Sequence, residues 1–126
     1  MNGIAGEAAL WTGVVLLGGV GSVLRFTVDK VVSARAGRAF PYGTLVVNIS
    51  GALLLGFLSG LALDDRIALL AGTALVGSYT TFSTWMFETQ RLAEDRQVSG
   101  LVGNVVVSLV LGVAAAAVGQ LVGGML

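Results

Sequence analysis

The sequence predicts an all-α integral membrane protein built from four transmembrane helices. Three observations carry that expectation. Four apolar stretches run over about residues 8–28, 43–63, 67–87 and 98–126, and each is long enough to cross a hydrocarbon core of about 30 Å as a helix. The connectors between them are short and hold nearly all the charge. Only 11% of the 126 residues are charged and 56% are hydrophobic, whereas about a quarter of a soluble domain is charged. The chain is expected to form one four-helix membrane domain over residues 1–126, with helices at about 8–28, 43–63, 67–90 and 98–125.

Composition also removes whole classes of function. Seven basic and seven acidic residues cancel, so no basic patch for nucleic acid is expected. There is no Cys and no His. That excludes disulfides, thiolate metal sites, His-ligated haem and Ser-His-Asp catalysis. No enzyme is expected. No Gly-x-x-x-x-Gly-Lys phosphate loop is present either, so nothing points to ATP-driven work.

The first span has Glu7 as its only preceding charge and an apolar run too long for a signal peptide, so it reads as a retained helix. Gly13, Gly18, Gly19 and Gly21 punctuate it. Small residues spaced by four or five form a stripe along which helices approach closely. The same device recurs in the second and fourth spans, among nineteen glycines in all. Together they argue for a dense bundle. Four helices enclose little polar space, so an oligomer is expected. Arg25 ends the first span. It either snorkels to the headgroups or places a positive charge at the mouth of an anion path.

Pro41-Tyr42-Gly43-Thr44 opens the second span, with proline before the helix and a hydroxyl in its first turn. One turn deeper lies Asn48. It is either glue between helices or an N–H donor inside a pore.

The third span is the most unusual. Val76-Gly77-Ser78-Tyr79-Thr80-Thr81-Phe82-Ser83-Thr84-Trp85-Met86-Phe87-Glu88 places hydroxyl, aromatic and acidic residues where a membrane helix should carry aliphatics. Hydroxyls and amides cost several kcal/mol each, on the order of, when left unsatisfied in hydrocarbon. Gly72 and Gly77 loosen the helix, and residues 77–81 are poor helix formers, so a break near its middle is expected. Unwound backbone at that depth must line a cavity or lie within protein, and its carbonyls are good ligands for a hard cation such as Na⁺. Phe82 and Trp85 share a face, with Ser83 and Thr84 beside them. The rings either pack in a bundle core or turn their positive edges to a small anion. Glu88 and Arg91 are spaced as an ordinary ion pair. The fourth span carries glycines, Asn104 and Ser108.

These residues resemble a known family. Gly77-Ser78-Tyr79-Thr80-Thr81-Phe82-Ser83-Thr84-Trp85 is similar to the third-helix signature of the Fluc (CrcB-like) fluoride channels, Gly-Gly-x-Thr-Thr-Phe-Ser-Thr-Phe. Gly43-Thr44-Leu45-Val46-Val47-Asn48 resembles their second-helix Gly-Thr-Leu-x-Val-Asn, and Gly21-Ser22-Val23-Leu24-Arg25 their first-helix Gly-x-x-x-Arg. The resemblance implies a passive channel of the prokaryotic plasma (inner) membrane that exports F⁻ from the cytoplasm and so confers fluoride resistance. It implies an antiparallel, dual-topology dimer with two pores and a structural Na⁺ at its centre, held here by the carbonyls of Gly77 and Thr80. The ion pathway maps onto Asn48, Phe82, Thr44, Ser83, Thr84 and Arg25, with Ser108 a looser match.

The chain departs from the family at two places. Trp85 stands at the second pore phenylalanine, and Met86 where the family usually has Ser. Asn104 sits near the usual fourth-helix tyrosine.

Loop charge points to the partner. The first and third loops carry Arg25, Lys30, Arg35, Arg38, Arg91 and Arg96, against Arg66 alone on the other side. The positive-inside rule then favours one orientation, with both termini outside. Besides a homodimer, a heterodimer with an oppositely oriented paralogue is therefore expected. Two rival functions stay open. A small proton-coupled multidrug exporter wants an acid deep in the first helix, where this sequence has none. A non-conducting membrane subunit remains if the polar third helix is only packing glue.

Overall fold

The protein is described here from a computed structural model covering residues 3–126. The domain expected over residues 1–126 includes Met1 and Asn2, which lie outside the described residues. All regular secondary structure among the described residues is helical: α1 (Ile4–Ala36), α2 (Tyr42–Gly60), α3 (Asp65–Ala68), a π-helical stretch (Leu69–Val76), α4 (Gly77–Tyr79), α5 (Ser83–Glu94) and α6 (Val98–Gly124). Four segments are long and apolar enough to cross a membrane: Ile4–Ala36, Tyr42–Gly60, Asp65–Glu94 and Val98–Gly124. The protein is a multi-pass membrane protein of four helical spans.

The first helix is longer than its apolar run. Asp29, Lys30 and Arg35 end the hydrocarbon-compatible stretch but not the helix, because charged side chains are ordinary helix formers once outside the core. At 33 residues α1 is about 50 Å long, so it projects well past the bilayer core. It stops at Gly37, whose φ of 86° few side chains tolerate, and whose N–H still donates to the Ser33 carbonyl at 3.0 Å.

After α2, the chain turns through Ala62, and Asp64 opens the third span. The Asp64 carboxylate accepts from the N–H groups of Arg66 and Ile67 at 3.0 and 3.1 Å, an N-cap that satisfies two otherwise orphaned donors. The widened π-helical turns over Leu69–Val76 follow.

α2 is the centre of the bundle. It packs against α1 on one side and most closely against α6 on another. Gly56 and Gly60 of α2 and Gly119 and Gly123 of α6 make that approach possible. A Cβ on Gly119 would run into the Leu53 carbonyl, and one on Gly123 into the Phe57 carbonyl. Backbone meets backbone there, so no side chain can yield. Few residues are fully covered; Val47 and Asn104 are the largest. Most large apolar side chains, including Val15, Val23, Leu54, Leu109 and Val113, face outward. In water that would be an aggregation hazard; against lipid it is the expected arrangement.

The third span is broken as its composition requires. Gly77–Tyr79 keeps a helical turn, and the chain then extends at Thr80, with φ −80° and ψ 161°. Helix resumes at Ser83. Close packing holds the turn before the break: a Cβ on Gly21 would collide with Ser78 and the Leu75 carbonyl, and one on Gly51 with the Thr80 side chain. Glycines from two neighbouring helices thus leave the space that the irregular backbone fills.

Candidate functional site: a polar track through the helix break

The break leaves peptide groups that helix geometry no longer pairs, and Asn48 takes two of them. Its Oδ1 accepts from the Thr81 N–H at 2.8 Å and its Nδ2 donates to the Thr81 carbonyl at 2.8 Å. An amide nitrogen carries two donors, so Asn48 keeps one N–H after pinning the strand-like turn. Thr81 also caps α5, its Oγ1 accepting from the Thr84 N–H at 3.2 Å, in the spacing typical of an N-cap. One residue thus connects α2, the break and the start of α5. Sequence reading gave Thr81 no role of its own, although its place in a Thr-x-x-Thr helix start was a usable signal.

Two openings meet at Thr81. One, of about 210 Å³, is lined by Arg25, Phe26, Asp29, Thr44, Val47, Thr81 and Thr84. The other, an open groove of about 300 Å³, is bordered by Asn48, Gly51, Ala52, Leu55, Thr80, Thr81, Phe82 and Trp85. Arg25, Thr44 and Thr84 therefore face one space, and Asn48, Phe82 and Trp85 the next. Arg25 is half-buried and forms no ion pair, since the one pair among the described residues joins Glu7 to Arg66 at 2.9 Å. Ser83 is exposed at the start of α5 and lines neither opening. Ser108 is buried on α6, and its hydroxyl has no hydrogen-bond partner.

The aromatic pair has a defined geometry. The rings of Phe82 and Trp85 lie 5.8 Å apart at 81°, edge to face. Phe82 is 70% exposed, so its ring is displayed along the groove. The Trp85 indole N–H donates to the Asn104 carbonyl at 3.3 Å. The nitrogen at this ring is therefore turned to α6, and what Trp85 offers the groove is carbon-bound hydrogen.

Glu88 behaves differently from its sequence reading. The spacing to Arg91 predicts an ion pair, but Glu88 Oε1 instead accepts from the Thr44 hydroxyl. Thr44 is 2% exposed, so this bond ties α2 to α5 inside the bundle. A buried hydroxyl needs a partner more than an arginine at a helix end does, which is why the longer-range contact wins. A second polar opening lies beyond it, with Arg38, Arg91 and Asp95 on its walls.

Gly77 and Thr80 lie on the two sides of the α4 end. The Thr81 N–H that would bond Gly77 in a continuous helix goes to Asn48. The Gly77 carbonyl then has only a 3.5 Å contact from the Thr80 hydroxyl, whose single proton has the Val76 carbonyl nearer at 3.2 Å. The extended Thr80 turns its own carbonyl out of helical register. Both are neutral oxygen donors, and among the described residues no cluster of His, Cys, Asp or Glu could hold a metal. A hard monovalent cation fits this donor set; a transition metal does not.

Comparison with known proteins agrees with this architecture. Residues 12–120 match the family model described as CrcB-like protein, Camphor Resistance (CrcB). The chain is 67% identical over 112 residues, 89% of each chain, to fluoride-specific ion channel FluC 2 of Mycobacterium tuberculosis. It is 69% identical over 112 residues to FluC 2 of Mycolicibacterium paratuberculosis, covering 89% of this chain and 92% of that one. Fluoride-specific ion channel FluC 1 of Nocardia farcinica is 41% identical over 113 residues, 89% of this chain and 80% of its own. The broken third span, the Asn48–Thr81 clasp and the polar track beside it are thus the features of a chain that belongs to the CrcB-like family.

Proposed function

We propose that this protein is a passive, fluoride-selective ion channel of the prokaryotic plasma membrane that lets F⁻ leave the cytoplasm. The observation that carries the reading is the polar track from Arg25 past Thr44, whose own proton goes to Glu88, and Thr84 to the remaining N–H of Asn48, bordered by the Phe82 ring. F⁻ is small and strongly hydrated, so a path for it must replace water at each step. Past Arg25 at the mouth, hydroxyls, one amide N–H and ring edges do so without a further cationic side chain that would trap the ion. The names of the relatives support the choice of anion. A negative-inside potential drives the ion outward with about 2.3 kcal/mol per charge per 100 mV. No energy source beyond that gradient is needed, and no catalytic step is assigned.

The channel unit is an antiparallel dimer, with Na⁺ at its centre held by the Gly77 and Thr80 carbonyls. The bound cation supplies positive charge where the broken helices present carbonyl oxygens. Ser83, exposed at the start of α5, extends the track where the dimer closes over the groove, whereas the Ser108 hydroxyl lies buried within the protomer. The bias of six basic residues on one side against Arg66 on the other supports a second reading for the partner. This chain holds one orientation and pairs with an oppositely oriented paralogue.

Fluoride efflux from liposomes containing the purified chain alone, read with an F⁻ electrode under a K⁺/valinomycin potential, tests the proposal. Fast efflux without Cl⁻ leak is the expected result for a self-sufficient channel. Silence that is relieved by co-reconstitution with a paralogue supports the heterodimer. Silence in both preparations refutes the channel.

A further inference from the structure

Beside the groove, side chains of α5 and α6 close a ring of three hydrogen bonds. The Trp85 indole Nε1–H donates to the main-chain carbonyl of Asn104 at 3.3 Å. The Asn104 side-chain amide donates to Thr89 Oγ1 at 2.9 Å. The Thr89 hydroxyl donates in turn to the Trp85 carbonyl at 2.8 Å. The ring begins and ends on Trp85, holding it at the indole and again at the backbone.

Helix packing by itself does not require this arrangement. Asn104 is 1% exposed, its Oδ1 has no partner, and neither has Ser108 Oγ one turn further along α6. A buried polar atom without a partner costs stability, and an apolar residue of similar size would avoid that cost. The ring instead fixes the larger of two aromatic side chains that border an open groove. An indole free to change rotamer there would swing across the space next to Asn48 and Phe82. Tethered, it meets Phe82 edge to face and keeps its N–H on α6.

We propose that Thr89 and Asn104 are positioning residues that hold the Trp85 indole against α6 and thereby keep the groove beside Asn48 open to the anion. This rests on the channel reading for its consequence, but the tether itself is a separate, measurable property.

The sequence contains two tryptophans, so Trp11→Phe leaves Trp85 alone. In that background, hydrogen–deuterium exchange of the Trp85 indole N–H is followed by NMR on ¹⁵N-labelled protein in micelles, and fluoride efflux is measured in liposomes. Thr89→Val is expected to speed indole exchange and lower efflux, each by about tenfold, on the order of the loss of one hydrogen bond. Thr89→Ser, which keeps the hydroxyl, is expected to restore both. Asn104→Leu provides a second break in the same ring and is expected to act in the same direction. Unchanged indole exchange in both breaking variants overturns the tether. Faster exchange with unchanged efflux overturns its role in keeping the groove open. A parent that conducts no fluoride either alone or with a co-reconstituted paralogue counts against the channel reading, and indole exchange then upholds or overturns the tether on its own.

Discussion

Asn48 and Phe82 border the same groove but have different structural obligations, and substitution should separate them. Asn48 satisfies both peptide groups of Thr81. Removing it orphans a donor and an acceptor at membrane depth, each costing about 1–3 kcal/mol. Phe82 is 70% exposed in the chain and touches Trp85 only edge-on. Asn48→Ala is therefore expected to lower both the thermal midpoint in detergent and fluoride efflux. Phe82→Ala should lower efflux with little change in melting. Equal loss of stability in the two variants would show that Phe82 is packing rather than pore lining. The two bonds from Asn48 to Thr81 also explain why residue type and position do not separate its possible roles, glue and donor. One amide has enough hydrogen-bonding capacity for both.

At the scale of elements, glycine spacing foretold close helix approach but not which helices approach. The structure puts the tightest contact between α2 and α6. There a Cβ on Gly119 would meet the Leu53 carbonyl and the Phe57 amide. Gly112, on the same helix, would place its Cβ 3.8 Å from Ile49 Cδ1, an ordinary contact. Gly119→Val is expected to force the two helices apart at a cost of about 3 kcal/mol or more, seen as aggregation in size-exclusion chromatography. Gly112→Ala should stay within about 0.5 kcal/mol of the parent. Similar melting of the two variants would mean that α2 and α6 do not pack through backbone. The break in the third span was legible as a run of poor helix formers. Its position at Thr80, after a surviving turn at Gly77–Tyr79, was not. Partners on α1 and α2 decide which of those weak residues leaves the helix.

For the whole molecule, charge asymmetry is the property that reaches furthest. Arg66, the one basic residue on its side, is paired with Glu7 at 2.9 Å, which leaves that side with no unpaired Lys or Arg among the described residues. Lys30 and Arg35 lie on the part of α1 that runs beyond the apolar stretch, close enough to the membrane to count toward orientation. Cysteine-accessibility tagging at the C-terminus is therefore expected to label one face of the membrane predominantly. Equal labelling from both faces would sink the single-orientation reading and favour a homodimer.

By itself the sequence determined the class of this protein: four helical spans, the order of its polar motifs, and a third helix that could not stay whole. Those follow from hydropathy, length and local backbone preference, which act within a few residues. The tertiary structure decided the rest. It chose Asn48 over solvent for the Thr81 peptide groups, Thr44 over Arg91 for Glu88, and the Asn104 carbonyl over the groove for the Trp85 indole. Each of those choices joins residues 19 or more positions apart. Such pairs form only when packed helices exclude water and force every buried polar group to find a partner.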